Sequence, residues 1–226
     1  MRFLCLHGRG TNGQILEAQT AAVRIELGDN HIFEYVDGCS PAELDPELAA
    51  FFPPNEDYYD YWGDSMESKI KAVTDLERML EEEGPFDGVL AFSQGAMLAM
   101  TYILREAKLH PTKHHMDPAF KFAILFSAVQ PVDSVHLEET GVEAFVDSNS
   151  DHPLVRIPTA HIWGRGDKTW SKGSKEVASL CDPLKRAIYI HDGGHEIPGS
   201  KDNNNLYGVV HTVRRTIDAV SHAVAA

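Results

Sequence analysis

The chain alternates short, continuous apolar runs with longer stretches in which apolar residues recur every three or four positions. The apolar runs predict strands that are buried on both faces of a parallel sheet; they cover residues 2–7, 31–36, 88–92, 120–126, 157–163 and 186–191. The periodic stretches predict helices; they cover residues 15–27, 65–83, 95–108, 171–180 and 204–224. The alternation predicts an α/β fold with a mostly parallel sheet and helices on both of its faces.

Right-handed crossovers between parallel strands bring every strand's carboxyl end to one edge of the sheet. The segments that follow the predicted strands should therefore meet there; they include residues 8–13, Ser93, Ser127, Asp167 and His195. No internal repeat or linker interrupts the pattern, so we expect one domain over residues 1–226.

Residues 38–63 have no steady period, and two interpretations of this segment remain open. It is rich in proline and in aromatic rings, which are Phe51, Phe52, Tyr58, Tyr59, Tyr61 and Trp62. A long irregular segment in a compact domain is often functional, which favours a lid or a pocket wall for an apolar acyl group. The alternative is a surface excursion whose rings pack back onto the core. Residues 127–155 are also expected to form a long loop, and residues 110–118 a polar connection.

Charge narrows the range of partners. The formal net charge is −14, in a chain with 43% hydrophobic and 24% charged residues. A surface this acidic repels phosphate backbones and anionic lipid. We therefore expect neither nucleic acid nor a membrane surface as a partner. It places little constraint on a small neutral substrate.

Cysteine and histidine spacing predicts neither a disulfide framework nor a metal site. The three cysteines are odd in number and widely separated. His110 and His114 are four residues apart, as helical metal ligands are, but Pro111 should disrupt that helix. The first strand begins at Arg2, leaving no room for a signal peptide ahead of it, and no apolar run is long enough to span a membrane. We therefore expect a cytoplasmic protein.

The most informative stretch is residues 88–99, GVLAFSQGAMLA. A strand that ends at Phe92, a turn at Ser93 and a helix from Gly95 form the sequence pattern of a nucleophile elbow. The usual G-x-S-x-G pattern has a glycine where this chain has Ala91. The turn should expose the Ser93 hydroxyl and aim the Gln94 backbone N–H at a developing oxyanion. The alternative is an ordinary Ser-Gln-Gly turn.

A serine nucleophile needs a histidine base and a carboxylate that orients the base. Asp167 and His195 each follow a predicted strand through a glycine-containing turn, in the chain order that such a triad has in this fold class. Competing carboxylates are Asp192, which is close to His195 in sequence, and the weaker candidates Asp147 and Asp151.

The first loop, residues 7–10, is the candidate source of a second oxyanion donor. A His-Gly turn there can point the Arg9 backbone N–H at the same oxygen as Gln94. The rival interpretation is a nucleotide loop, because glycines 8, 10 and 13 match G-x-G-x-x-G. That loop would satisfy the acidic ribose contact only loosely, through Asp37, and would not explain the Ser93 elbow.

Four motifs together resemble the small eukaryotic hydrolase group called the family of serine hydrolases; they are L-H-G at 6–8, G-P-F-D-G-V-L-A-F-S-Q-G-A at 84–96, G-x-x-D at 164–167 and G-G-H-x-x-P at 193–198. The resemblance implies an α/β-hydrolase fold, a Ser93–Asp167–His195 triad, no cofactor, and esterase or thioesterase chemistry. Some fungal members release polyketide acyl chains from a synthase carrier domain, which adds such a carrier to the partners to consider. Two departures are Ala91, where glycine is commoner, and Arg9, where the family often has an apolar residue.

We therefore expect a serine hydrolase that cleaves an ester or thioester of an apolar acyl chain. Tyr61, Trp62 and Trp170 are the candidate acyl-pocket residues, and the oxyanion would be held by Arg9 and Gln94. A general carboxylesterase or acyl-protein thioesterase is an alternative within the fold, as the group is also similar to those enzymes. A non-catalytic small-molecule-binding protein of the same fold is an alternative of another class. The acyl chain, the leaving group and the oligomeric state stay open.

Overall fold

The computed structural model describes residues 1–53, 56–147 and 154–223, without the side chains of Glu47 and of residues 221–223. Its strands are β1 (Arg2–Leu6), β2 (Ile32–Val36), β3 (Ser40–Ala42), β4 (Tyr58–Asp60), β5 (Gly88–Phe92), β6 (Phe122–Phe126), β7 (Thr159–Gly164) and β8 (Arg186–His191). Six of them form one sheet in the order β2-β1-β5-β6-β7-β8, with every neighbouring pair parallel. β3 and β4 form a separate antiparallel pair.

The helices cover both faces of the six-stranded sheet. They are α1 (Gly13–Leu27), α2 (Met66–Glu83), α3 (Gln94–Leu109), α4 (Pro111–Met116), α5 (Ser134–Thr140), α6 (Ser171–Ser179) and α7 (Asn203–Ala223). Buried apolar residues of α1 and α7 form one core with one face of the strands. Those of α2, α3 and α6 form a second core with the other face. The predicted α/β architecture is confirmed.

The central strand β5 shows why the strands appear as continuous apolar runs. Leu90 and Phe92 face the α1/α7 core, while Val89 and Ala91 face the α2/α3 core. Each of these four residues is buried, because helices cover both sides of the strand. Alternation of polar and apolar residues disappears from a strand that is buried on both faces, and the period-2 signal disappears with it.

Helix ends follow the signals in the sequence where caps are present. Asn12 accepts a hydrogen bond from the backbone N–H of Ile15 and begins α1, and Gly28, at φ 88°, ends it. Ser65 caps α2 in the same way through the backbone N–H of Ser68. The last helix was expected to reach Val224, which lies outside the described residues.

Several local predictions were wrong, among them the start of β6, which begins at Phe122 rather than at residue 120. The loop expected over 127–155 contains α5, whose seven residues are too few to show a period, although Asp133 and Gly141 cap its two ends. Pro111 does not disrupt a helix; it occupies the first turn of α4, where its missing N–H is tolerated. β7 begins at Thr159 rather than at 157, immediately after Pro158, which has no N–H to donate to a neighbouring strand.

Segment 38–63 is more regular than its sequence predicted. It contains the β3–β4 pair and a short 3-10 helix over Pro46–Leu48, while residues 54 and 55 lie outside the described residues. The two strands have only three residues each and include Pro41, so no period marks them. The segment's role as a lid stays a prediction.

Replacing Gly95 by alanine should destabilise the fold, because an added Cβ would stand 2.5 Å from the carbonyl oxygen of His7. Overpacking of this kind costs about 1–3 kcal/mol, or a fall in melting temperature of roughly 2–12 °C for a chain of this size. Thermal unfolding followed by circular dichroism measures the change. The control is Gly199→Ala, since an added Cβ there meets no atom within 4 Å. Equal melting temperatures for the two variants would contradict the close approach.

Candidate active site

The turn between β5 and α3 holds Ser93 in a strained backbone conformation. Ser93 has φ 51° and ψ −113°, a combination that residues other than glycine rarely adopt. The close approach of Gly95 to the end of β1 fixes this turn, because the Gly95 N–H donates to the carbonyl of His7 at 3.0 Å. The Ala91 methyl group is fully buried in the α2/α3 core. The elbow thus forms with alanine at the position where glycine is commoner.

Three predicted side chains form a continuous hydrogen-bonded relay. The Nε2 atom of His195 lies 2.9 Å from Ser93 Oγ, and its Nδ1 atom lies 2.7 Å from Asp167 Oδ2. An ionised carboxylate only accepts, so Nδ1 carries the proton and Nε2 is free to accept the Ser93 hydroxyl proton. The other oxygen, Asp167 Oδ1, accepts from the Trp170 backbone N–H at 2.8 Å. Both carboxylate oxygens are therefore held in place.

Backbone contacts between two glycine-containing loops position Asp167 and His195. The Arg165 N–H donates to the carbonyl of His191 at 2.7 Å, and the Gly166 N–H donates to that of Gly193 at 2.8 Å. A Cβ on Gly164 would collide with the carbonyl oxygens of residues 193 and 194. The loops after β7 and β8 thus pack backbone against backbone, which only small residues allow.

Burial separates Asp167 from its competitors. The Asp167 side chain is 2% exposed, whereas that of Asp192 is 81% exposed and pairs with Arg165 at 3.6 Å. Asp147 lines a cavity near the far end of α3, and Asp151 lies outside the described residues. Among the candidate carboxylates that the structure describes, the one bonded to His195 is Asp167.

The predicted oxyanion donors lie on two segments that meet beside Ser93. Gln94 is the first residue of α3, so its backbone N–H has no acceptor within the helix and lies at the positive end of the helix dipole. The loop after β1 also lies close to Ser93, because a Cβ on Gly8 would stand 2.8 Å from the Phe92 ring and 3.6 Å from Ser93 Cβ. Arg9 follows directly, with an exposed side chain. The donor roles of Arg9 and Gln94 stay predictions.

The three predicted pocket residues differ in their surroundings. Trp170 is 44% exposed, and its ring centroid lies 6.4 Å from that of His195. Trp62 is partly buried against an apolar cluster that includes Met97, on the first turns of α3. Tyr61 is buried, and its ring stacks on His7 at 4.8 Å. These contacts place the Tyr61 ring in the core.

Sequence reasoning missed the structural part played by His7, Asp60 and the Gln94 side chain. His7 Nδ1 lies 2.7 Å from the carbonyl oxygen of Gly8, while Nε2 accepts from the Gly38 N–H at 2.9 Å. This pairing requires a neutral ring, and burial accordingly lowers the pKa of His7. Gly10 N–H donates to Asp60 Oδ1, and Gln94 Oε1 accepts from the Tyr61 N–H. No spacing rule predicts these contacts, since 50 and 33 residues separate the paired groups.

A cavity of about 910 Å³ lies away from the triad, and none of the three triad residues lines it. Leu104, Lys108, His114, Phe145 and Arg156 are among the residues that line it. Over the described ranges, no three His, Cys, Asp or Glu side chains are grouped so that they could hold a metal ion. No helix in the described part of the chain is both long and apolar enough to cross a membrane.

Comparison with known proteins identifies the family. Residues 1–207 match the family model described as "Serine hydrolase (FSH1)". The chain is 43% identical over 201 residues to "Esterase FPY3" of Fusarium mangiferae, covering 88% of each chain. It is 30% identical over 219 residues to "Esterase C25G4.2" of Caenorhabditis elegans, covering 92% of this chain and 91% of the relative.

Solved structures agree on the fold. A crystal structure of a carboxylesterase from Mesorhizobium loti superposes with a TM-score of 0.63 at 16% identity, covering 94% of this chain and 88% of that one. At such low identity the likeness extends to the α/β-hydrolase fold alone. The family match and the esterase relatives together show that the chain belongs to the FSH1 serine hydrolase family and is a serine esterase.

Proposed function

We propose that this esterase cleaves an ester or thioester of an apolar acyl chain, with Ser93 as nucleophile, His195 as general base and Asp167 as the group that orients His195. The observation that carries the proposal is the unbroken relay from Ser93 Oγ through His195 to the buried Asp167 carboxylate. It contains each part that acyl transfer by a serine requires.

The reaction follows from this geometry. As Ser93 Oγ forms a bond to the acyl carbon, its proton passes to His195 Nε2, and the carbonyl electron pair moves onto oxygen. The backbone N–H groups of Arg9 and Gln94 bind that oxyanion, and each donor contributes about 10²–10³ in rate. When the oxyanion collapses, the bond to the leaving oxygen or sulfur breaks and Nε2 returns the proton to it. In the second half of the reaction, a water oxygen attacks the acyl carbon while His195 Nε2 accepts a proton from the water. The bond to Ser93 Oγ then breaks, Nε2 returns the proton to Oγ, and the acid is released.

Apolar rings beside the triad support an apolar acyl group. Trp170 presents an exposed ring next to His195. The ring of Phe92, which is buried, lies 5.0 Å from the His195 ring. Trp62, Met66, Ile70 and Val129 extend the apolar surface around Met97. An exposed tryptophan at a site contributes apolar contact area at a small entropic cost. We assign the acyl chain to Trp170 and the apolar surface around Met97.

The leaving group we propose is a thiol, carried by the acyl-carrier domain of a synthase. Ser93 and His195 are both partly exposed, so a tethered acyl chain reaches them without opening of the core. The resemblance to fungal polyketide-releasing members supports this substrate class. A free oxygen ester, the substrate of a general carboxylesterase, is the competing possibility.

Replacing Ser93 by alanine should remove turnover and leave the fold intact. We expect kcat to fall by roughly 10⁴–10⁶, as is measured when a triad nucleophile is removed. Hydrolysis of p-nitrophenyl butyrate measures the rate, and a fluorophosphonate probe with peptide mapping should place a single adduct on Ser93. Ser179→Ala, which removes an exposed hydroxyl on α6, is the matched control. An active, folded Ser93→Ala protein would exclude this nucleophile.

Truncation of Trp170 should change the chain-length preference, whereas truncation of Tyr61 should lower the stability. Trp170→Ala should lower the ratio of kcat/KM for octanoyl over acetyl esters by roughly tenfold, the effect of about two methylenes at ~0.8 kcal/mol each, with little change in melting temperature. Tyr61→Ala should cost about 3–5 kcal/mol of stability, because its ring is buried. If a stable Tyr61→Ala protein showed a changed chain-length preference, the Tyr61 ring would have to be assigned to the acyl pocket.

A matched set of three substrates tests the leaving group. The same acyl chain is offered as an N-acetylcysteamine thioester, as an ethyl ester and on a purified acyl-carrier domain. We expect kcat/KM to be highest for the carrier-bound chain, since the carrier adds binding contacts outside the acyl pocket. Preference for the ethyl ester, with no gain from the carrier, would favour the general carboxylesterase.

A further inference from the structure

The segment that precedes α2 contacts the loop after β1 at several points. The Gly10 N–H donates to Asp60 Oδ1 at 2.7 Å, and the His7 N–H donates to Tyr61 Oη at 2.7 Å. The Tyr59 N–H donates to the carbonyl of Thr11 at 2.8 Å. Three consecutive residues, 59–61, therefore hold the backbone on both sides of Arg9.

The same segment is also bonded to the elbow. The Tyr61 backbone N–H donates to Gln94 Oε1 at 2.9 Å, and this contact is buried. Gln94 thus has two separate functional groups: its backbone N–H is a proposed oxyanion donor, and its side chain accepts from Tyr61. Asp60 and Tyr61, adjacent in sequence, contact the two segments that carry the two proposed donors.

We infer that Asp60 and Tyr61 form a strut that sets the separation of the two oxyanion donors, with Asp60 as a positioning residue for the Arg9 N–H. This inference rests on the proposed function and deepens it. The Asp60 carboxylate holds the peptide between Arg9 and Gly10, and the Tyr61 N–H holds Gln94. A displacement of either contact alters the geometry in which the oxyanion is bound, and an error of about 1 Å at such a site costs roughly 10²-fold in rate.

Close packing makes the strut stiff. Gly10, at φ 59°, lies so near residues 43 and 45 that an added Cβ would stand 2.6 Å from the carbonyl oxygen of Glu43. A Cβ on Gly38 would collide with the carbonyl oxygen of Asp60. The loop after β1 is therefore enclosed by this segment, and it cannot shift unless the segment shifts as well.

A carboxylate next to an oxyanion site needs a neighbouring positive charge, because it repels the developing negative charge. The Arg9 guanidinium supplies one. Burial raises the pKa of Asp60, while the hydrogen bond from the Gly10 N–H and the charge of Arg9 act to lower it. The arginine that departs from the family's usual apolar residue is thus electrostatically coupled to Asp60.

Removal of the strut contacts should lower kcat rather than raise KM. We expect Asp60→Ala and Gln94→Met each to reduce kcat for p-nitrophenyl butyrate by about 10–100-fold, with KM changed less than about threefold. Asp60→Asn keeps an oxygen acceptor and should retain most of the rate. Asp57→Ala is the matched control, since Asp57 contacts Asn12 through its carbonyl and has an exposed side chain.

Inhibition by an alkyl trifluoromethyl ketone separates positioning from folding. Its adduct with Ser93 places an oxyanion between the two donors, so its Ki should rise by the same factor by which kcat/KM falls. A merely structural role would alter melting temperature without this proportionality. The double variant Asp60→Ala/Gln94→Met should lose less than the product of the single losses, because both contacts belong to one strut.

Unchanged kcat and Ki in a folded Asp60→Ala or Gln94→Met protein would overturn the strut. So would an Asp60→Asn protein as impaired as Asp60→Ala, since the contact requires only an acceptor. If wild-type protein neither hydrolyses the ester nor forms the Ser93 adduct, the proposed function itself fails. Active wild-type enzyme with unaffected strut variants rejects the inference alone.

Discussion

The hydrogen bond from the Gly95 amide to the carbonyl of His7, at 3.0 Å, joins the first turn of α3 to the end of β1. It forms only because residue 95 has no side chain, and it requires the chain to reverse within the two residues after β5. Ser93 adopts a positive φ to make that reversal. The strain at Ser93 is thus balanced by packing between two central strands and the helix that follows them.

That one approach determines where the groups of the proposed triad lie. It brings the loop after β1 beside the first N–H groups of α3, and these two segments carry the proposed oxyanion donors. The sheet order then places β6 and β7 beyond β5, and β8 beyond them, so the loops carrying Asp167 and His195 approach Ser93 from the other side. Glycines in those loops allow their backbones to pack against each other. This packing fixes the position from which His195 reaches Ser93.

Segment 38–63 connects the two segments that carry the proposed oxyanion donors. Its aromatic content suggested a pocket wall, yet Tyr61 faces His7 in the core. The contacts of Asp60 and Tyr61 instead hold the backbone of the loop after β1 and the side chain of Gln94, next to Ser93. The proposed acyl site is therefore assigned to Trp170 and the apolar residues around Met97, while the segment contacts the loop that precedes α1.

The sequence by itself determined the order of strands and helices, the fold class and the chain order of Ser93, Asp167 and His195. It did so because double-sided burial, caps and the elbow motif are local properties that single stretches of sequence express. Short elements such as β3, β4 and α5 escaped it, since three to seven residues show no period. Only the tertiary structure decided that Asp167 rather than Asp192 contacts His195, that Tyr61 is buried, and that Asp60 and Gln94 meet partners 50 and 33 residues away. Those outcomes depend on which strands become neighbours and how closely their loops approach, which residue spacing does not encode.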